Sequence, residues 1–252
     1  MNYIIQATGL SPWAFGLAAL MTFIAAGIRG LTGFGMAIVL VPLLGMVVAP
    51  AEAVVIGILL QLLIGPVGLK DIVAEADRDS ALRIAMFAVV ATPAGLWLLA
   101  HSSPDAARIV IAAIAIGAFA MVLLPAKPGQ VPGFAFTAGT GIVSGILTGY
   151  AAMPGPPVVP YYLRQQMEPR RARASMMLVF FATAIAGSLA SAVMGVATIH
   201  LFVVALCLFP PMWLGNHLGG KAFGTISPPV WRGCVALLLG AAGVSAVVRA
   251  FN

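Results

Sequence analysis

The chain has 252 residues and a formal net charge of +6; 62% of its residues are hydrophobic and 8% are charged, with a mean hydropathy of +1.08. About a quarter of the residues in soluble domains are charged, so this composition excludes an ordinary soluble domain and indicates an integral membrane protein. The positive charge does not indicate nucleic-acid binding, because nearly all Lys and Arg residues lie at the ends of apolar stretches, as the positive-inside rule expects.

Apolar stretches of membrane-spanning length follow one another along the first half of the chain. A spanning helix needs about 20 mostly apolar residues. The candidates are Pro12–Ile28, Gly33–Val48, Glu52–Leu69, Ala81–Ala100 and Pro104–Leu124. Residues 1–124 are therefore interpreted as a first transmembrane repeat. The Pro- and Gly-rich residues 125–132 follow it as a linker.

Residues 133–252 are interpreted as a second transmembrane repeat with the same pattern. Its candidate segments are Gly133–Thr148, Pro157–Leu163, Ala174–Ala197, Ile199–Leu218 and Pro229–Ala250. The segment Pro157–Leu163 would form a helix of roughly 10 Å at 1.5 Å per residue, whereas the hydrocarbon core is about 30 Å thick. It is therefore predicted to be a half-helix that follows a break.

A Gly- and Pro-rich break occurs at corresponding places in the two halves. With a shift of 118 positions, Gly27–Pro42 aligns without gaps on Gly145–Pro160, and both stretches begin with Gly-Ile and end with Pro. Corresponding broken segments in two halves are the best sequence-level indication of a transporter's binding site. The freed backbone groups need protein or a water-filled cavity around them, so we expect a substrate cavity between the breaks.

The basic residues predict that the two halves are inverted relative to each other. Three full spans and a broken pair that crosses twice or not at all give each half an odd number of crossings. One face then receives Arg108 and Arg249, and the other receives Lys70, Arg78, Arg83, Lys127, Arg164, Arg170, Arg171, Arg173, Lys221 and Arg232. The second face is predicted to be cytoplasmic, with both termini outside. The expected fold class is an all-α polytopic membrane protein of two inverted repeats, each with a broken or re-entrant helix pair plus three transmembrane helices.

The first break contains the strongest candidates for a binding site. Arg29 is the only charge in its apolar region; at depth it costs about 2.5 to 3.5 kcal/mol on insertion scales and needs a partner, which an anionic substrate would supply. Near the surface it would instead be a snorkelling anchor. Gly30, Gly33 and Gly35 permit close approach of a ligand to the backbone or close packing of helices. A half-helix that begins near Phe34 offers free N–H groups and a positive dipole end to an anion.

The second break adds Pro154, Gly155 and Pro156 to the candidate site. These prolines fix the turn on the symmetry-related side. The backbones of Gly30–Gly35 and Pro154–Pro157 are expected to supply N–H donors to the substrate.

Four polar side chains are further candidates for contact with the substrate. Gln61 lies in the middle of an apolar stretch, where its amide either donates to a substrate oxygen or bonds another helix. Thr32, Thr148 and Tyr150 lie within the breaks, where their hydroxyls either bind an anion or satisfy local carbonyls. Cys207 and Cys234 have no CxxC or Cys/His spacing, so neither a disulfide framework nor a metal site is predicted.

The ordered pair of motifs resembles that of a known family. Gly30-x-x-Gly33-Phe34-Gly35 followed by Val41-Pro42-Leu43-Leu44, and Gly149-x-x-x-x-Pro154-Gly155-Pro156 followed by Val159-Pro160, look like the TauE/SafE sulfite exporter family. The resemblance covers essentially the whole chain. It implies transport of sulfite, sulfonates or other small organic anions across the bacterial inner membrane, coupled to an ion gradient. Ala151-Ala152-Met153 departs from the usual glycine-rich form of the second motif.

The sequence thus predicts a secondary transporter, specifically an exporter of a small sulfur-containing or organic anion, with alternating access as the two halves rock. No P-loop, zinc motif or catalytic triad is present, so neither an enzyme nor a cofactor is predicted. The expected partners are a small anionic substrate and the lipid bilayer, and a homo-oligomer stays open. Two alternatives also stay open: a passive anion channel, because no buried carboxylate for proton coupling is evident, and a membrane subunit of a larger assembly.

Overall fold

The computed structural model describes residues 8–123, 132–165 and 167–222. Regular structure within these residues is entirely helical. The helices are α1 Pro12–Thr32, α2 Met36–Leu44, α3 Pro50–Ile64, α4 Leu69–Glu75, α5 Arg78–Ala100, α6 Pro104–Leu123, α7 Phe134–Ala151, α8 Gly155–Leu163, α9 Pro169–Val193 and α10 Ile199–Lys221. The predicted span Pro229–Ala250, residues Arg232, Cys234 and Arg249, and residues 125–131 of the linker lie outside the described residues.

The helices have the length and polarity of a multi-pass membrane protein. In the described part of the chain, α1, α5, α7, α9 and α10 are long and apolar enough to cross a bilayer, and α3 with α4 forms a sixth candidate that is bent by 83°. Large apolar side chains point outward from these helices; Val90 is 77% exposed and Val193 is 88% exposed. Such an apolar exterior is expected where lipid is the solvent. The prediction of an all-α polytopic membrane protein is confirmed.

Two predicted spans are shorter in the structure than their apolar stretches. The stretch Gly33–Val48 contains only the nine residues of α2, roughly 13 Å of helix, so the first break is followed by a half-helix just as the second one is. The stretch Glu52–Leu69 ends as a helix at Ile64, and α4 begins after Gly68, whose φ is +73°. The apolar runs alone did not reveal these turns, because Gly and Pro residues interrupt the helix without lowering hydrophobicity.

The order of helices repeats along the chain. After the shift of 118 positions, α2 lies over α8, α3 with α4 lies over α9, and α5 lies over α10, and their ends agree within three residues. Both short helices, α2 and α8, have nine residues. The inversion of the two halves remains a prediction.

The two most extensive helix contacts join one half of the chain to the other. Helix α1 packs along α10, and α7 packs along α5; the shift of 118 exchanges these two pairs. A Cβ at Gly219 would overlap the carbonyl of Gly27, and a Cβ at Gly145 would overlap the carbonyl of Ala88. Glycine therefore lets the backbones touch at both seams. The first helix of each half is held by the opposite half, and the two breaks meet between them.

Candidate functional site

The first break is a short irregular segment between α1 and α2. Gly33 ends α1 with φ +84° and Gly35 precedes α2 with φ +88°, a left-handed conformation that favours glycine. The Thr32 hydroxyl donates to the Ile28 carbonyl (2.8 Å) and accepts from the Phe34 amide (3.2 Å). Thr32 therefore satisfies local backbone groups, which was one of its two predicted roles.

The second break is held by hydroxyl groups of α7. Ala152 follows α7 with φ +57°, and the Ser144 hydroxyl donates to the Pro154 carbonyl over 2.9 Å. The Thr148 hydroxyl donates to the Ser144 carbonyl within α7 (2.7 Å). The Tyr150 hydroxyl bonds that of Ser102 at 3.1 Å. Thr148 and Tyr150 thus bond the protein itself.

A small cavity of about 20 Å³ lies between the two breaks. Its described lining residues are Arg29, Phe34, Gly35, Met36, Ala37, Ile38, Gln61, Met153, Pro154, Gly155 and Phe180. Residues 35, 36 and 37 correspond to residues 153, 154 and 155 after the shift of 118, so equivalent positions of the two halves face each other across the cavity. This volume accommodates about one water molecule, and a substrate anion therefore needs the cavity to widen.

Six of the twelve predicted site residues line this cavity: Arg29, Phe34, Gly35, Gln61, Pro154 and Gly155. The other six, which are Gly30, Thr32, Gly33, Thr148, Tyr150 and Pro156, are not among its described lining residues. Gly30 instead lies against the backbone of Asn216 and Gly220 on α10. Gly33 lies against the aliphatic part of Arg173. In this structure, Gly30 and Gly33 allow close packing of helices, the alternative to contact with substrate.

Arg29 is a buried cation beside the cavity. The residue is 7% exposed, and its Nη1 donates to Oδ1 of Asn216 at 2.8 Å. The ion pairs among the described residues join Arg108 to Asp105 and Arg171 to Asp77, so no described carboxylate lies within 4 Å of the Arg29 guanidinium. A buried charge is expected to have a counter-charge, and a bound anion would provide one.

The half-helix predicted to begin near Phe34 begins at Met36 in the structure, and the amides of the preceding break have partners in the protein. The Gly33 amide donates to the Arg29 carbonyl (2.7 Å) and the Phe34 amide donates to Thr32. By contrast, the amides of Met36, Ala37 and Ile38 begin α2, where an α-helix has no internal acceptor. No hydrogen bond of these three amides joins them to another described residue. They line the cavity at the positive end of the α2 dipole.

The second break supplies fewer donors than predicted. Proline has no amide hydrogen, so Pro154, Pro156 and Pro157 cannot donate. Gly155 is the only residue of Pro154–Pro157 with a backbone N–H group. Both breaks are followed by a nine-residue helix, but the second break has fewer backbone N–H groups to offer. Most of the N–H donors at the site therefore come from α2.

The Gln61 amide bonds the protein itself, which was one of its two predicted roles. Its Nε2 donates to the carbonyls of Gly57 (3.2 Å) and Ala152 (2.9 Å). Both amide hydrogens are thereby used, one within α3 and one at the second break. The residue lines the cavity, and its Oε1 has no hydrogen-bond partner among the described residues. Gln61 therefore offers the cavity an acceptor instead of a donor.

Seven residues at or near the site were not predicted: Met36, Ala37, Ile38, Met153, Phe180, Asn216 and Arg173. Asn216 binds Arg29, and Nη2 of Arg173 donates to the Gly30 carbonyl at 2.6 Å. Asn216 was detectable as an amide within an apolar span. Arg173 is the last residue of a basic run and resembled a topology anchor. Met153 and Phe180 carry no signal in the sequence, because apolar residues are everywhere in this chain.

Two larger cavities are lined by other described residues of the chain. One, of about 490 Å³, includes Glu52, Arg108 and His200, residues near the predicted external ends of the spans. The other, of about 350 Å³, includes Arg170, Arg173 and Asn216, at the predicted cytoplasmic ends. The hydrogen bond between Asn216 and Arg29 connects the wall of this second cavity to the wall of the central one.

Comparisons with known proteins agree with the family resemblance of the sequence. The family model described as Sulfite exporter TauE/SafE matches residues 18–246. The chain is also similar to the "Probable sulfite/organosulfonate exporter TauE" of Cupriavidus necator, with 27% identity over 248 residues that cover 94% of this chain and 95% of the relative. No solved structure matches the chain significantly.

Proposed function

The chain belongs to the Sulfite exporter TauE/SafE family, and from this premise we propose that it exports sulfite or a small organosulfonate through the cavity between the two breaks. Membership makes the protein a multi-pass membrane exporter of small anions, in keeping with the bacterial inner membrane. The specific substrate and the route are the proposal. The name of the relative in Cupriavidus necator includes both sulfite and organosulfonates, and these are the compounds to test first.

The observation that carries the proposal is the buried guanidinium of Arg29 without a described carboxylate beside it. Its one described side-chain partner is the neutral amide of Asn216. Met36, Ala37 and Ile38, whose amides have no hydrogen-bond partner among the described residues, line the same cavity. A cation and several N–H donors in a low-dielectric space form a site for an anion with oxygen acceptors, which sulfite and sulfonates have.

Alternating access is the proposed mechanism. The central cavity has room for about one water molecule, and larger cavities lie at the predicted external and cytoplasmic ends. Rocking of the two interlocked halves would widen the central cavity toward one larger cavity at a time. The anion would enter beside Arg170, Arg173 and Asn216, bind Arg29, and leave past Arg108 and His200.

The first test measures how sulfite changes the thermal stability of the purified protein. A ligand at 100 times its dissociation constant stabilises the folded state by about 2.7 kcal/mol. We expect sulfite to stabilise the wild type and to have no effect on Arg29→Gln. This variant should fold, because replacing a buried cation with a neutral amide removes the desolvation cost of the charge. Arg83→Gln is the matched control, because Arg83 is exposed on α5.

Two results would contradict the proposal. If neither sulfite nor any small sulfonate stabilises the wild type, the anion site is wrong. If Arg29→Gln and the wild type respond equally to sulfite, Arg29 is an anchor and not a ligand. Accumulation of sulfite inside inverted membrane vesicles against its gradient then distinguishes a coupled exporter from a passive channel, in which net flux would stop at equal concentrations.

A further inference from the structure

The carbonyl oxygen of Gln61 is the feature of the central cavity that the proposed function does not use. Among the described side chains that line the cavity, Arg29 is the other polar one, and its guanidinium only donates. Gln61 is different because both hydrogens of its Nε2 are donated to backbone carbonyls. Its Oε1 is left as the acceptor of a residue that lines the cavity.

The orientation of the Gln61 amide is determined by its two bonds. Both partners, the carbonyls of Gly57 and Ala152, are acceptors, so only the NH₂ end of the amide satisfies them. The Gly57 bond lies within α3 and moves with that helix. The Ala152 bond joins α3 to the second break, where Ala152 is fully buried. Reversing the amide would place Oε1 against two buried carbonyl oxygens, which is unfavourable.

We propose that the site selects monovalent anions that carry a hydrogen-bond donor away from the charged group, with the donor bonded to Oε1 of Gln61. This inference rests on the proposed function and names its substrate class. The anionic end binds Arg29 and the α2 amides, and a hydroxyl or an acidic O–H binds Gln61. A fully deprotonated dianion is disfavoured for two reasons: Arg29 is the only charged lining residue among the described ones, and an anionic oxygen would face the Gln61 oxygen.

Discrimination against anions without a donor follows from desolvation. A ligand that presents a methyl group to Oε1 buries that acceptor unpaired, and a ligand with a hydroxyl pairs it. Removing one partner of a buried hydrogen bond costs more than the bond contributes on average. Apart from Arg29 and Gln61 itself, the described side chains that line the cavity are apolar, among them Met153, Ile38 and Phe180. Arg29 is therefore the one other described side-chain donor in the lining, and in the proposed complex it is used by the anionic end of the ligand.

The test compares two sulfonates of nearly equal shape. 2-Hydroxyethanesulfonate carries a terminal hydroxyl where propane-1-sulfonate carries a methyl group. Dissociation constants are measured by calorimetry on the full-length wild-type protein in detergent, with sulfite as a third ligand. We expect the hydroxylated sulfonate to bind about 3- to 10-fold more tightly than propane-1-sulfonate, the ratio that one buried hydrogen bond supplies.

Variants separate the Gln61 oxygen from other causes of such a preference. In Gln61→Met the acceptor is gone, and the two sulfonates should bind equally. Gln165→Met is the matched control: Gln165 lies just beyond α8, with its amide on the Tyr161 carbonyl, and it should keep the wild-type ratio. If Gln61→Met does not fold, the wild-type ratio still decides the question.

The outcomes distinguish failure of the Gln61 selectivity from failure of the anion site itself. Equal binding of the two sulfonates by the wild type, or tighter binding of propane-1-sulfonate, overturns the selectivity while the anion site stands. A hydroxyl preference that persists in a folded Gln61→Met protein also overturns it, as does binding of sulfite alone. If none of the three anions binds, the proposed function fails and the selectivity fails with it.

Discussion

At the scale of single residues, the neutral partner of Arg29 matters as much as the charge itself. A buried arginine that serves only the fold is expected to be paired with a carboxylate, whereas here Asn216 supplies an uncharged oxygen at 2.8 Å. The amide orients the guanidinium and leaves its charge available to an anion. Asn216 also lines the 350 Å³ cavity, so it lies where an anion from the predicted cytoplasmic side would first meet Arg29.

Asn216→Asp tests this role of the neutral partner. The substitution keeps the shape of the side chain but gives Arg29 a carboxylate partner, and the resulting ion pair should compete with the substrate. Because a hydrogen bond to a charged group contributes about 1.5 to 3 kcal/mol, we expect sulfite affinity to fall about 10-fold or more, as measured by sulfite-dependent thermal stability.

Asn216→Ala is the companion variant, because it removes the contact without adding charge. It should bind sulfite at least as tightly as the wild type, since Nη1 of Arg29 is then free for the anion. Wild-type affinity in Asn216→Asp would show that Arg29 does not hold the substrate through its charge.

At the scale of helices, the contact between α5 and α7 depends on the absence of side chains. A Cβ at Gly145 would overlap the backbone carbonyl of Ala88, and backbone cannot move as a flexible side chain can. We expect Gly145→Ala to lower the free energy of unfolding by about 1 to 3 kcal/mol, the usual cost of overpacking. The midpoint of thermal unfolding in detergent measures the change.

Gly139→Ala in the same helix is the control for that substitution. Gly139 is exposed on α7, and a Cβ there meets nothing within 4 Å. Alanine is more favourable than glycine in a helix by about 0.5 to 1 kcal/mol, so this variant should be as stable as the wild type or more so. Equal effects of the two substitutions would mean that the seam tolerates a side chain and that glycine is not needed for the close approach.

At the scale of the whole molecule, the proposed rocking motion predicts opposite changes in the two larger cavities. Val48 lies in the 490 Å³ cavity and Met177 in the 350 Å³ cavity. In a background without native cysteines, Val48→Cys and Met177→Cys would be labelled with a membrane-impermeant thiol reagent. We expect substrate to raise the labelling rate of one cysteine and to lower that of the other.

The two cysteines also distinguish the exporter from a channel. A passive channel is open to both sides at once, so substrate would change both labelling rates in the same direction or leave both unchanged. Either result would contradict alternating access. Arg29→Gln provides the control, because a protein that does not bind the anion should show no substrate effect at either position.

The sequence alone located the break segments because their signals are local. A run of about 20 apolar residues, a glycine that permits positive φ and a proline that stops a helix each act within a few positions. The sequence therefore placed Gly35 and Gly155 in the two break segments. Arg29 was conspicuous as a charge in an apolar region. The lengths of α2 and α3 were less predictable, because apolar residues continue across the turns that end them.

Membrane location, family and the two breaks were thus determined by the sequence, through composition and short-range backbone preferences. Tertiary structure decided which groups of those segments face the cavity. Arg29 and Asn216 are 187 positions apart, and Gln61 and Ala152 are 91 positions apart, so their partners depend on how the halves interlock. The packing of α1 on α10 leaves Arg29 with a neutral partner and without a described carboxylate. The packing of α3 on the second break uses both amide hydrogens of Gln61 and leaves its oxygen as an acceptor, because buried carbonyls need donors.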